Sequence, residues 1–267
     1  MQTVPLKSVN PPARKTQFDQ WWLLVLGVAA LIVFLVITQP DPYQRILVFV
    51  QDGVWVTIRT TVISFFLVLI LGLVVALARL SKIWLLRGIF TVYVEIIRGI
   101  PVLVQLLFWY FAFPPIIQNL GTTLNNAALI NYKADPNFMA ILGLTICYAA
   151  YMSEVYRAGI QSIPKGQMEA ARSLGMTYFQ AMRYVILPQA IRVILPPVGN
   201  EFITLLKDTS LISVVAVSDL TRRGREFMAS NFIPIQPWIM VSLLYLVMTL
   251  ISARIVHYIE QKTKIER

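Results

Sequence analysis

Glu201 and Asp208 stand seven residues apart in the otherwise largely apolar stretch from Val193 to Val217, with Lys207 beside the second. Seven residues are two helical turns, so a helix through this stretch sets both carboxylates on one face. Two carboxylates on one face suit an ammonium or guanidinium group in a water-filled cavity. Lys207 points about 100° away and can pair with Glu95, with Asp208 of a neighbouring subunit, or with a carboxylate of the substrate. The competing account is an internal salt-bridge network that fixes helix packing and meets no ligand. Two further acid–base pairs, Glu95 with Arg98 and Glu154 with Arg157, sit one turn apart and read as local ion pairs.

Other chemistry has little to draw on. Cys147 is the single cysteine and lies in an apolar run, so no intramolecular disulfide can form. His257 is the single histidine and cannot build a histidine-rich metal centre. There is no G-x-x-x-x-G-K-[ST] loop to cradle nucleotide phosphates, no H-E-x-x-H and no G-x-S-x-G. A chain that moves a solute must therefore take its energy from a partner or from an ion gradient, and no cofactor is expected within it.

The elements that position these residues are set by composition. Of 267 residues 57% are hydrophobic and only 13% charged, against about a quarter charged in soluble domains. The apolar runs are long and repeated, and about 17–25 residues cross a bilayer as a helix. Spans are predicted at Trp21 to Thr38, Thr60 to Ala78, Gly99 to Ile117, Asn137 to Ser153 and Val193 to Val217, with a sixth held within Phe227 to Ala253 and centred on Pro237 to Ala253. The first follows Lys7, Arg14 and Lys15 as a signal peptide would, but no small-x-small cleavage site follows Thr38, so it reads as a retained helix. Pro196, Pro197 and Gly199 make the fifth span irregular, and such backbone is tolerated mainly beside a cavity, which favours a site at Glu201 and Asp208. The expected fold is an all-α polytopic bundle of about six transmembrane helices.

Orientation follows from the basic residues. With the N-terminus inside, the inner segments hold 16 Lys and Arg and the outer segments 6, Lys207 lying within the fifth span. Both termini are therefore expected in the cytoplasm. The net charge of +10 is accounted for by these loops, and no nucleic acid is expected as a partner. Arg222, Arg223 and Arg225, clustered in an outer segment, fit this topology poorly. The polar stretch from Gln118 to Pro136 reads as an irregular outer surface segment.

The inner loop from Ser153 to Arg192 is long and has the signals of two short helices. Ser162 and Pro164 mark a start, and Gly175 stands where a helix ends with positive φ. Thr177 and Gln180 form a capping box, and Pro188 is expected to kink or end the second helix. An amphipathic hairpin lying on lipid headgroups and a protein-docking device both fit this pattern.

Glu169-Ala170-Ala171, Gly175 and Val185-Ile186-Leu187-Pro188 resemble the EAA signature of ATP-binding-cassette importer permeases, whose usual form ends Ile-x-Leu-Pro, so Val185 departs from it. Tyr93-Val94-Glu95, Arg98-Gly99-Ile100-Pro101 with Gln105, and the run from Gly199-Asn200-Glu201-Phe202 to Lys207-Asp208-Thr209-Ser210-Leu211 resemble the polar-amino-acid branch of that family. The resemblance covers roughly residues 50 to 260. It implies a five-helix importer core over 50–260, with the helix at 21–38 as an addition behind a cytoplasmic tail of residues 1–20. It implies that the loop at 153–192 docks on a separate ATPase subunit through Glu169, Ala170, Ala171, Gly175, Leu187 and Pro188. ATP and Mg²⁺ would then be held by that partner. A second permease copy or a related subunit, an extracytoplasmic amino-acid-binding protein and the bilayer of a prokaryotic inner membrane complete the expected partners. Glu201, Asp208, Lys207 and Gln105 are the residues expected along the substrate path. An ion-coupled carrier acting alone, with Glu201 and Asp208 as coupling carboxylates, and a membrane-integral enzyme or scaffold are the competing classes; neither needs a docking hairpin.

Overall fold

In a computed structural model that describes residues 20–263, one long helix serves as the spine. The basic residues Lys7, Arg14, Lys15, Lys264 and Arg267, and the tail at 1–20 but for its last residue, lie outside the described residues. Helix α1 (Gln20–Thr38) is followed, after Gln39, by α2 (Pro40–Leu80). At 41 residues and 1.5 Å per residue, α2 is about 60 Å long, so the span predicted at Thr60 to Ala78 is only its second half. Its buried positions, among them Tyr43, Ile46, Val50, Gly53, Thr57, Ser64, Val68, Gly72 and Val75, recur every three to four residues. That spacing draws one continuous stripe along the rod. Three packing clusters meet the stripe in turn. Tyr43, Ile46 and Val50 pack with Leu220, Phe227 and Met240, Val68 with Leu144, Tyr148 and Leu205, and Val75 with Val94 and Ala150.

The segment that follows α2 was expected as a basic connection and is instead a helix, α3 (Trp84–Gly99). Its inner face, Phe90, Val94 and Ile97, packs beneath α2 and α7 (Pro136–Gln161). Trp84, Leu85, Ile89, Val92 and Ile96 remain exposed on its outer face. Arg98, at its end, reaches the same carboxylate as Arg79 at the end of α2, so α3 crosses the foot of α2 and does not retrace it.

The third predicted span begins later than Gly99, because Gly99 still belongs to α3 and Ile100–Pro101 is a break. It is built from α4 (Val102–Leu107), a π-helical turn (Phe108–Ala112) and α5 (Phe113–Thr123). A second π-helical turn (Met182–Ile186) precedes α10 (Leu187–Asp208). Each wide turn comes directly before prolines, Pro114-Pro115 and Pro188, whose missing N–H removes the ordinary hydrogen bond. The expectation that Pro188 ends or kinks its helix is corrected accordingly. Pro188 lies in the first turn of α10, where no N–H is needed, and α10 runs on through Pro196 and Pro197.

The stretch from Gln118 to Pro136 is also more regular than expected. It holds the end of α5 and the short α6 (Ala127–Ile130), whose N-cap Asn126 accepts from the N–H of Ala128 at 3.0 Å and of Leu129 at 3.3 Å. Asp135 caps α7 through the N–H of Phe138 at 2.7 Å. The sixth span lies where it was centred, in α12 (Gln236–Thr263), and the residues before it belong to a separate helix, α11 (Leu220–Asn231), which ends at Phe232, held at φ +55°.

Five stretches, α1, α2, Val102–Thr123, α7 and α12, are long and apolar enough to cross a membrane. With α10, which matches them in length but carries Arg192, Glu201, Lys207 and Asp208, they make the expected six-helix, all-α bundle, and no strand occurs among the described residues. Helix α1 stands at its margin. The Trp21 indole donates to the carbonyl of Leu250 at 3.3 Å, and Ile32, Leu35 and Val36 lean on the outer cluster of α2.

Candidate functional site: a charged wall and a helical hairpin

The charged residues gather on one face of α7. The Tyr148 hydroxyl donates to Asp208 Oδ2 at 2.6 Å, the rings of Tyr148 and Tyr151 lie 6.0 Å apart, and the Arg98 guanidinium sits 5.5 Å above the Tyr151 ring. Glu201 and Asp208 are both half-buried. Positive charge therefore stands at one end of a tyrosine-lined wall and a carboxylate at the other.

Arg98 is anchored only loosely. Glu154 accepts from Arg79 Nη1 at 2.6 Å on one oxygen and from Arg157 Nη2 at 2.6 Å and Nε at 3.0 Å on the other. Arg98 approaches the same carboxylate only to 3.7 Å. The pairing of Glu154 with Arg157 is as expected. The pairing of Arg98 with Glu95 is corrected: Arg98 turns across the helices toward the partly buried carboxylate of Glu154, while Glu95 stays exposed.

Gln105 and Lys207 are placed differently from the two carboxylates. The buried amide of Gln105 donates to the carbonyls of Ile97 and Ile100, both at 2.8 Å, and splints the break at Pro101. Lys207 is exposed and makes no ion pair among the described residues. Reading the sequence overlooked Arg98, Tyr148 and Tyr151 as parts of this wall. The aromatic pair one turn apart on the helix facing Glu201 was the available signal.

At the other pole of the site, α8 (Lys165–Ser173) and α9 (Tyr178–Ala181) form a hairpin. Gly175 adopts φ +85°, the Met176 N–H reaches the Ala171 carbonyl at 3.2 Å and the Gly175 N–H reaches that of Arg172 at 3.0 Å. This is a Schellman closure, which needs a left-handed residue at the corner. The capping box at Thr177 and Gln180 is formed in both directions, at 3.2 and 2.8 Å. Ala171 is buried under the hairpin, whereas Glu169, Ala170, Leu187 and Pro188 face outward. Around them Leu174 is 81% exposed, Phe179 71%, Tyr184 64% and Tyr178 59%. Such aromatic exposure on helices too short to span a membrane marks a face that another surface covers.

At the opposite end of α2, Asp219 caps α11 through the N–H groups of Arg222 and Thr221, at 3.0 and 3.1 Å. It is fully buried, and burial pushes its carboxyl up to about 6 against these hydrogen bonds. The arginine cluster that fitted the topology poorly is internally matched. Arg222 binds Glu226, Arg223 binds Asp52 and Glu226, and Arg225 donates to the carbonyl of Ser213.

The chain is similar to known proteins over most of its length. Residues 68–265 match the family described as binding-protein-dependent transport system inner membrane component. It is 36% identical, over 80% of its length and 92% of the relative's, to the glutamine transport system permease protein of Escherichia coli (strain K12). It is 41% identical to the L-cystine transport system permease protein of Bacillus subtilis (strain 168), over 78% and 87% of the two chains. Among solved structures, an amino acid ABC transporter crystallised with histidines is similar at a TM-score of 0.73 and 35% identity, covering 86% of this chain and 98% of that one.

Proposed function

From the premise that this chain belongs to the inner-membrane components of binding-protein-dependent transport systems, we propose how its wall and hairpin divide the work of an importer. The chain is the membrane-spanning permease subunit of an ABC importer for amino acids. Polar amino acids cross along the wall, where Glu201 and Asp208 receive cationic groups. A second permease chain, identical or related, encloses the path from the other side. An extracytoplasmic binding protein delivers the amino acid.

ATP is bound and hydrolysed with Mg²⁺ by a separate ATPase subunit, which accepts the hairpin in a groove. Both termini lie in the cytoplasm of a prokaryote, the hairpin facing the same side. Arg222 and Arg223 of α11 count little against this orientation, because charges already paired with Asp52 and Glu226 weigh little in the bias of basic loops toward the inside. Residues 50–260 form the importer core, and α1 is an addition to it.

The exposed aromatic face around the Gly175 corner carries this reading, since a self-sufficient carrier has no use for it. Extraction of the tagged chain in mild detergent tests it. An ATPase subunit should co-purify with the wild type and be lost with a Glu169→Lys, Gly175→Asp double variant, the second change meeting a backbone that only glycine adopts easily. A chain that purifies alone and still drives uptake sensitive to uncouplers but not to vanadate overturns the reading. For the path, Glu201→Gln and Asp208→Asn should each lower ATP-driven uptake in proteoliposomes at least tenfold. Unchanged rates and preferences in both remove these carboxylates from it.

A further inference from the structure

Beside a close crossing of α10 and α12 the bundle leaves a cleft. A Cβ on Gly199 would lie 2.3 Å from Cγ1 of Val256, so the two helices meet there. Next to that contact Asn200 and Val256 border an opening of about 310 Å³, at the lower end of the range for small-molecule sites, about 300–1,000 Å³. Helix α1 supplies the third side through Trp21, whose indole is held by the carbonyl of Leu250.

The cleft lies where α12 leaves the hydrocarbon. About 20 residues cross the bilayer core. Counted from Pro237 they reach Val256, and the turns beyond carry His257, Glu260 and Lys262. Trp21, at the start of α1, is a residue suited to the same interface. Leu206 and Ser252 border one groove, Asn200 and Glu260 the other, so α10 and α12 run antiparallel. Ile203 and Ala253 therefore line the deep end of the cleft, and Asn200, His257 and Glu260 the shallow end. Its lining turns from apolar to charged between Ala253 and Glu260, about 10 Å, as a phospholipid turns from acyl chain to headgroup.

The charges narrow the headgroup. Arg254 brings a guanidinium to the cleft and Glu260 a carboxylate. That carboxylate makes no hydrogen bond among the described residues, and His257 Nδ1 stands 3.7 Å from it. Basic pockets at this depth attract anionic lipids, but a carboxylate in the same cleft opposes a net negative ligand. A ligand carrying both charges fits: a phosphodiester for Arg254 and Asn200, and an ammonium for Glu260. A primary ammonium donates charge-assisted hydrogen bonds to a carboxylate. A quaternary one has no N–H to donate and is held by aromatic cages, whereas Trp21 is the one aromatic side chain among the described residues lining this cleft.

We propose that the cleft between α1, α10 and α12 binds a phosphatidylethanolamine-type lipid from the leaflet at which α12 ends. Its phosphodiester lies on Arg254 and Asn200, its primary ammonium on Glu260, and an acyl chain over Ile203 and Ala253. Helix α1 then has a function of its own, as the wall of a lipid site, and the lipid ties it to α10 and α12. The assignment does not depend on what the protein transports.

Native mass spectrometry of the full-length chain tests this, after incubation in mild detergent with equal amounts of phosphatidylethanolamine, phosphatidylcholine and phosphatidylglycerol of the same acyl chains. The wild type should retain phosphatidylethanolamine at least fivefold over either competitor. Glu260→Gln should retain it no better than phosphatidylcholine, and Arg254→Gln should lower retention of all three. A chain beginning at residue 39 should lose the preference, and Lys262→Gln, outside the cleft, should keep it. Melting temperatures in lipid-free detergent serve as the folding control. Free phosphoethanolamine in hundredfold excess should displace nothing, because the apolar end of the cleft takes the chain; displacement makes this a site for a soluble ligand and overturns the proposal. A wild type that retains no lipid, or prefers phosphatidylglycerol, also overturns it. So does a folded Glu260→Gln variant with the wild-type preference, or a Lys262→Gln variant without it. Deletion of residues 2–17 should leave retention unchanged; a tenfold rise would make that segment the occupant and overturn the lipid.

Discussion

The side chain of Glu154, two turns before the end of α7, joins that helix to the ends of α2 and α3. Removing one member of a buried ion pair costs about 3–5 kcal/mol, since the other is left uncompensated. Glu154→Gln strands Arg79, whose Nε already lacks a partner. The variant should lose several degrees of thermal stability in detergent, and Glu154→Gln combined with Arg79→Met should recover part of the loss. Asp219 makes a second prediction at this scale. Its folded value of about 6 lies above the unfolded value of about 3.9, so the fold prefers the protonated form. This group's stabilisation is fully present below about pH 4 and is lost as pH rises through 6, a change of about 3 kcal/mol. Asp219→Asn keeps a capping oxygen without the charge. The difference in melting temperature between wild type and variant should therefore shift in the variant's favour between pH 4 and 6.

Among the elements, α7 and α10 approach closely at a glycine. A Cβ on Gly159 would lie 2.2 Å from Cγ1 of Ile194, an overlap that movement of the Ile194 side chain or of the helices must relieve. Gly159→Ala should cost about 1–3 kcal/mol, as overpacking does, and Ile194→Ala in the same chain should restore much of it; equal melting temperatures for the single and double variants would refute the contact. The sequence made the apolar spans, the glycine corner and the capping box legible because each rests on local chemistry: length and polarity, a left-handed residue, a reciprocal side-chain cap. Helix α3 was readable in principle, for Phe90, Val94 and Ile97 keep helical spacing, but Arg87, Glu95 and Arg98 made the segment look like a connection. The partner of Arg98 was not readable, because Glu95 is its neighbour in sequence and Glu154 its neighbour only in space. Prolines misled for a related reason. Pro188, Pro196 and Pro197 break helices in water, yet here a π-helical turn and the packing of α10 absorb them.

For the whole molecule, α1 is a peripheral piece. Little of it is buried, and the three clusters around α2 close without any buried residue from it. A chain beginning at residue 39 should still assemble with the ATPase and transport, at a modest loss of stability from the missing contacts of Ile32, Leu35 and Val36. Loss of assembly on truncation would place α1 within the core.

Helix α2 ties the two faces of the membrane together. Asp52 binds Arg223 near one end and Arg79 binds Glu154 near the other, on a rod unbroken after Asp41. The 27 residues between them measure about 40 Å, more than the roughly 30 Å of hydrocarbon. In the importer proposed above, a rod without a hinge would tilt as one piece, so that a displacement of its foot emerges at its head as a swing in the opposite sense. Spin labels at Gln44 and Leu77 should then keep one separation through every nucleotide state, while the distance from Gln44 to its counterpart in the second permease chain changes with each stroke.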